Sequence, residues 1–387
     1  MTAAPATNAE SAWAAVWGQP AAVEQLKHAA ENPAEMTHAW LITGPPGSGR
    51  STLAYAFAAT LIARDADDDH TIQQVIAGTH PDLVRLRTEG VIIPVKEVRA
   101  AAARSYLAPS VGRHRVVVIE DADRMAEQAS NAILKALEEP PPETVWILCA
   151  PSDVDLLPTI RSRVRTVRLA EPNVADVAEL IVRRTGVDAQ VAEQSARHAQ
   201  RHIGMAQRLA TNPVSRERRE KTLRDTLRAR TVADVVEVAA AIVQAATDDA
   251  KTLTTERDAA ERSELLRTAG IADGAAVPPA VRSQVSARED AQKKRATRSV
   301  RDGIDRVLTD LQSLFRDVVL CQFGRVDDMI NRELESDITF VANAWPAQRT
   351  LAVLDAITDT REAIEQNAAP LLALESLLVT VTTGRTP

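Results

Sequence analysis

Apolar residues follow two rhythms along this 387-residue chain. In the first half, short continuous apolar runs alternate with segments whose apolar positions recur every three or four residues. Residues 38–43, HAWLIT, read as a buried strand running into the glycine-rich stretch GPPGSGRS at 44–51. A helix over 51–64 follows, with Leu53, Ala54, Phe57, Ala58 and Leu61 on one face. Strands are expected at 80–87, 115–119, 145–149 and 166–169, with helices at 25–30, 95–107 and around Ala129, Ala132, Ile133, Ala136 and Leu137. The last of these helices is stopped by three prolines at 140–142. The run RVVVI at 115–119 is apolar on both faces, which suits a parallel strand covered by helices on both sides. Strands alternating with helices predict an α/β domain with a mostly parallel sheet.

From about residue 171 the pattern is helical throughout. Residues 171–211 read as a small helical unit. Residues 250–300 are charged, with a loop-like stretch at 270–279, and read as a solvated insertion or exposed helices. An apolar stripe then sharpens through Ile304, Val307, Leu308, Leu311, Leu314, Phe315 and Val318, and a last helix carries Leu371, Leu374, Leu377 and Leu378. Such helices pack as a bundle or collar. Residues 1–12 are small and polar and are expected to be disordered.

Composition narrows the function. Aromatics make up only 3% of the chain, so Ala, Val, Leu and Ile must fill the cores. The formal net charge is −7, which argues against a chain that grips nucleic acid along its whole length. Two cysteines, Cys149 and Cys321, cannot build a metal or disulfide framework by themselves. No basic segment followed by an apolar run opens the chain, and no apolar run nears the ~20 residues of a membrane span. A cytoplasmic protein without membrane contact is expected.

The stretch 44–51 is nearly a P-loop, G-x-x-x-x-G-K-[ST]. Glycines there let backbone N–H groups turn toward phosphate oxygens, and the following helix presents its positive N-terminus to the same anion. Gly44, Gly47, Gly49, Arg50, Ser51 and Thr52 are the candidate phosphate-handling residues, with Ser51 where a Mg²⁺ ligand would stand. Arg50 occupies the lysine position, and a guanidinium is larger and planar where an ammonium is compact. After the strand at 115–119 come Glu120 and Asp121, the reverse of the Asp-then-Glu order that serves metal and water in active NTPases. Asp121 is one methylene shorter than Glu, so its carboxylate falls ~1 Å short of the attacking water, a displacement that can cost about 100-fold in rate.

These motifs, with NAILKALEEPPP at 131–142 and TIRSR at 159–163 in the same order, resemble the clamp-loader branch of the AAA+ family. Gly18-Gln19 and His38-Ala-Trp40 fit as well. LFRD at 314–317 and residues 367–378 are similar to the collar of delta-prime-type subunits of the bacterial DNA polymerase III clamp loader. The resemblance covers residues 13–215 strongly and 300–380 moderately. It implies an AAA+ P-loop α/β domain at 13–170, a helical lid at 171–215, and a helical collar at 216–387 with the charged insertion at about 250–300: α/β, then all-α.

The resemblance also implies a pentamer with three tau/gamma ATPase subunits and one delta, acting on a sliding clamp and primer-template DNA. In such a ring the Ser-Arg step of one subunit reaches the γ-phosphate held by the next, which makes Arg163 the candidate trans-acting arginine finger. The competing assignment has Arg163 merely paired with an acid or a helix C-terminus. Val164 stands where the family has Cys. His80-Pro-Asp82 is present without the four cysteines of a zinc module, so no zinc is expected. The polar sensor position falls at Cys149-Ala150-Pro151, and Gln207, beside Arg208, stands where active subunits carry a sensor arginine. No cofactor is required on this reading, although the degenerate site could take ATP or ADP with Mg²⁺. Lys135, Glu138 and Glu139 are either interface or DNA-facing groups or a solvated helix face.

Three functions compete: a non-motor, finger-donating clamp-loader subunit; an active tau/gamma-like ATPase; and a nucleic-acid-binding adaptor keeping the fold for shape. The degraded nucleotide positions favour the first. The acidic balance and the lack of aromatic–basic interleaving weigh against the third.

Overall fold

The computed structural model describes residues 9–88, 90–268 and 279–383, and the chain divides into two compact units, 1–211 and 212–387. The first unit opens with helices α1 (Ala9–Ala14) and α2 (Pro20–Glu31). Residues 9–12, expected to be disordered, are thus helical from Ala9. The reason is burial, since Ala12, Trp13 and Val16 enter the core and Trp13 packs on Phe57 with ring centroids 6.5 Å apart.

The parallel sheet follows the expected alternation. Strand β1 (Ala39–Thr43) leads to α3 (Arg50–Ile62) and α4 (Asp69–Ala77), β2 (Leu83–Leu86) to α5 (Val95–Ser105), β3 (Arg115–Ile119) to α6 (Glu127–Glu138), and β4 (Thr144–Ala150) to α7 (Pro158–Arg161) and β5 (Arg165–Arg168). Helix α4 was not expected. It begins in the acidic stretch after α3, where the Asp68 side chain accepts from Thr71 N at 3.2 Å and caps it. The strand order is β2-β3-β4-β1-β5, all parallel.

Both faces of the sheet are apolar because side chains alternate along each strand. Trp40, Ile42, Val116, Val118, Val145 and Ile147 face the core under α1, α2 and α3. Leu41, Val117, Ile119, Trp146 and Leu148 face the core under α5 and α6. At the amino end of β2, Asp82 is fully buried and accepts from Ser110 N and Oγ, Val111 N and Gly112 N at 2.7–2.8 Å and from Arg115 Nη2 at 3.0 Å. It ties the loop before β3 to the sheet.

Helices α8 (Val174–Thr185), α9 (Ala189–His198) and α10 (Ile203–Thr211) complete the first unit around their own apolar cluster of Val177, Ile181, Ala192, Ala196, Ala206 and Leu209. Gln19, at the start of α2, holds the link between β5 and α8, donating to Ala170 O and accepting from Ala170 N, both at 2.8 Å. Trp17 Nε1 donates to Asp176 O at 2.9 Å, and Arg183 lies over the Trp17 ring.

The second unit is wholly helical among its described residues: α11 (Pro213–Arg228), α12 (Val232–Thr268), α13 (Pro279–Gln322), α14 (Glu335–Ala344), α15 (Ala347–Glu365) and α16 (Pro370–Thr383), apart from short 3-10 turns. The stripe from Ile304 to Val318 lies in its core with Leu374, Leu377 and Leu378. The described part of the charged stretch 250–300 lies in α12 and α13, and buried Arg295 joins them by pairing with Asp258 at 3.1 Å and Glu261 at 2.9 Å. Except for Pro279, the loop-like stretch at 270–279 lies outside the described residues. No helix among the described residues is long and apolar enough to cross a membrane.

Candidate functional site

The carboxyl ends of β1, β3 and β4 bring the candidate residues together, at the edge where open α/β sheets place their ligands. Gly44 N donates to Pro151 O at 3.2 Å, joining the glycine-rich loop to the end of β4. Gly49 takes φ +97° and caps α3 without a side chain, which leaves the N–H groups of Arg50, Ser51 and Thr52 as first-turn donors. Ser51 is half-buried and Thr52 exposed. This much is a phosphate cradle. The Arg50 side chain turns back into it, however, and Nη1 donates to Gly44 O at 3.0 Å. The loop is also covered from the helical segment, since a Cβ on Gly47, itself at φ +79°, would meet the His202 ring at 2.4 Å.

The acid end of the site is committed internally. Glu120, 9% exposed, accepts at Oε1 from Tyr55 Oη at 2.7 Å and from Arg85 Nε at 2.9 Å. Arg87 Nε lies 3.8 Å from Oε2. Tyr55 stands one turn beyond Ser51 on α3, and Arg85 is the polar position of β2, with its guanidinium 5.6 Å from the Tyr55 ring centroid. Burial, then the Glu120 carboxylate, push the Tyr55 phenol well above its ordinary range, so it stays a donor. Asp121 is half-buried beside Asp123. Burial, reinforced by the Asp121 charge, raises the Asp123 carboxyl against the pull of Arg124 and Arg50. Burial pushes the Cys149 thiol up to about 12, so at the expected sensor position it stands neutral. No group of three His, Cys, Asp or Glu suited to a metal ion occurs among the described residues.

Arg163 lies apart from this cluster, just after α7. Its Nη1 donates to Thr159 O at 2.7 Å and to Ser162 Oγ at 2.9 Å, and its Nη2 pairs with Glu138 Oε1 at 2.5 Å. Its basic neighbours are engaged elsewhere: Arg165 lies over the Trp40 ring and donates to Glu35 O, and Arg168 pairs with Asp153.

The family model described as DNA polymerase III, delta subunit, matches residues 18–173. The match covers less than half of the chain, and this region is similar to that family. It is 37% identical over 138 residues to the DNA polymerase III subunit delta' of Pseudomonas aeruginosa, covering 34% of this chain and 42% of the relative. A DNA polymerase III subunit gamma of Buchnera aphidicola is 35% identical over 137 residues, covering 33% and 36%. A DNA polymerase III gamma subunit-related protein of Thermotoga maritima aligns over 93% of this chain and 100% of its own at 19% identity, with a TM-score of 0.42. The chain spans less than half the length of the curated delta' relatives it matches.

At this site, sequence reasoning located the loop and the acids and missed what holds them. Tyr55, Arg85 and His202 carry no motif. Tyr55 is four residues beyond Ser51, so it returns to the same face of α3, and that spacing was the available signal. Arg85 was visible only as a cation inside the strand expected at 80–87.

Proposed function

We propose that this chain is a non-motor subunit of a replicative DNA clamp loader. In this role it scaffolds an assembly with tau/gamma ATPase subunits and delta that loads a sliding clamp onto primer-template DNA. It also lends Arg163 to a neighbour's ATP site. The observation that carries the reading is the engagement of Glu120 by Tyr55 and Arg85. Mg²⁺ demands octahedral oxygen ligands at about 2.0–2.1 Å. Here the first acid after β3 has its Oε1 taken by two donors, one of them a guanidinium whose charge repels a metal ion. Arg50, bonded to the loop's own carbonyl, does not extend toward a β/γ-phosphate as a lysine would. The cradle thus fits a phosphate, and Glu120, so engaged, does not fit the metal. Hydrolysis needs the metal and an oriented water together.

Resemblance supports the trans role of Arg163, and its geometry is compatible with it. A guanidinium has five N–H donors. Three point to Thr159 O, Ser162 Oγ and Glu138, which leaves the Nε donor and the second Nη2 donor without an acceptor among the described residues.

The test is Mg-ATP turnover by the isolated chain and by the reconstituted complex carrying Arg163→Ala. We expect no turnover from the isolated chain. In the complex we expect DNA-stimulated ATPase to fall by about one third or more, since one of three sites loses a group that can be worth 10³ or more in rate. Clear turnover by the isolated chain would instead make it a motor subunit. Unchanged turnover of the variant complex would remove the finger assignment.

A further inference from the structure

We infer that Glu138 is a positioning residue for Arg163, holding its guanidinium in the orientation it presents to a neighbouring subunit; this rests on the reading of Arg163 as a trans-acting group. Glu138 is the last residue of α6, where the three prolines beyond it end the helix. The end of α6 thus carries the Glu138 carboxylate to the Arg163 guanidinium. Arg163 follows α7, a single helical turn, which by itself gives little to orient a long side chain. The two elements meet at the guanidinium. Glu138 Oε1 takes one Nη2 donor at 2.5 Å, while Thr159 O and Ser162 Oγ take both Nη1 donors. Acceptors from two separate elements fix the plane of the fork, which one partner could not do.

Both side chains are partly exposed, 33% for Arg163 and 47% for Glu138, so the pair contributes little to stability. Its value is orientation. An unrestrained arginine samples many rotamers, and a group acting on a transferring phosphoryl must be aligned when charge develops. Glu138 and Arg163 are 25 residues apart, and the LEEPP and Ser-Arg motifs become one device through this contact.

The experiment compares Glu138→Gln, Arg163→Ala and the double variant in the reconstituted complex. We expect Glu138→Gln to lower the DNA-stimulated kcat toward the Arg163→Ala value with KM for ATP unchanged, because a finger acts in the transition state. We also expect the double variant to match Arg163→Ala, since Glu138 acts only through Arg163. In the isolated chain, the Arg163 Nε–H signal should lose order in Glu138→Gln while the unfolding midpoint stays put. A double variant slower than Arg163→Ala would place the action of Glu138 elsewhere. A Glu138→Gln complex faster than the parent would make Glu138 a restraint on the finger, which overturns positioning. An Arg163 signal indifferent to Glu138 would refute the pairing itself. A silent Arg163→Ala with an ordered, Glu138-dependent signal would sink the finger reading alone and leave the contact without a catalytic purpose.

Discussion

The two ends of the parallel sheet treat a buried carboxylate differently. At the amino end, Asp82 is saturated by three backbone N–H groups, a hydroxyl and Arg115. At the carboxyl end, Glu120 is met by a phenol and a guanidinium, both from side chains. Backbone donors come with the loop and cannot be mutated away. Side-chain donors can each be removed by a single substitution. The first pattern is what a scaffold needs. The second leaves a carboxylate at the ligand-facing edge of the sheet engaged by side chains of the protein itself.

The contrast breaks most severely at Asp82. Replacing it with Ala leaves Arg115 and four loop donors facing a void, and loss of one partner of a buried ion pair costs about 3–5 kcal/mol. Urea unfolding should show that loss, and a change under ~1 kcal/mol would mean water or neighbours replace the carboxylate. Burial alone would raise the Asp82 carboxyl, but the Gly112, Ser110 and Val111 N–H groups and the Ser110 hydroxyl hold it at about 2. A carboxylate depressed in the folded state stabilises above its unfolded value near 4, and that stability drains away as pH falls from about 4 toward 2. Asp82→Asn should flatten this part of the pH–stability curve.

Glu120→Gln sharpens the comparison at the other end. The amide oxygen can still accept from Tyr55 or Arg85, and half-buried Arg85 can turn its charge to water. The cost should be about 1–2 kcal/mol, near that of one charged hydrogen bond. A loss as large as that of Asp82→Ala would mean Glu120 is as structural as Asp82, and the two ends of the sheet would not differ in kind.

Much of this was legible beforehand, for physical reasons. Strands β1, β3 and β4 are apolar on both faces, so RVVVI and VWILC could only be buried parallel strands. The loop at 44–51 announced itself because positive φ and close backbone approach demand glycine at fixed spacing. Helix α4 was hidden because its signal is a capping aspartate in an acidic run that also reads as loop. The reversed order of Glu120 and Asp121 hinted at impairment. It could not reveal that Arg85 and Tyr55 claim Glu120, because those residues are 35 and 65 positions away and the contact exists only after β2 and α3 pack beside β3. Arg163 shows the same limit. Its motif was plain, and its partner Glu138 was visible only as one of three charged residues on α6.

Tyr55→Phe is the mildest change and asks which side chain holds Glu120. The ring stays in the core and its hydroxyl is lost, so Glu120 Oε1 keeps Arg85 alone. Removing one neutral donor from an acceptor that retains a charged one should cost about 0.5–1.5 kcal/mol. The informative readout is Mg²⁺-dependent nucleotide binding, measured by calorimetry on the isolated chain. If Arg85 supplies the charge that excludes the metal, Tyr55→Phe should bind no better than the parent, and Arg85→Met should be the variant in which any Mg²⁺ dependence emerges. If Tyr55→Phe gains Mg²⁺-dependent binding by itself, the phenol is the block, since the guanidinium is still there to repel the metal. The neutralisation of Glu120 would then be steric, a hydroxyl standing in a coordination position, and the electrostatic account of this end of the sheet would be wrong.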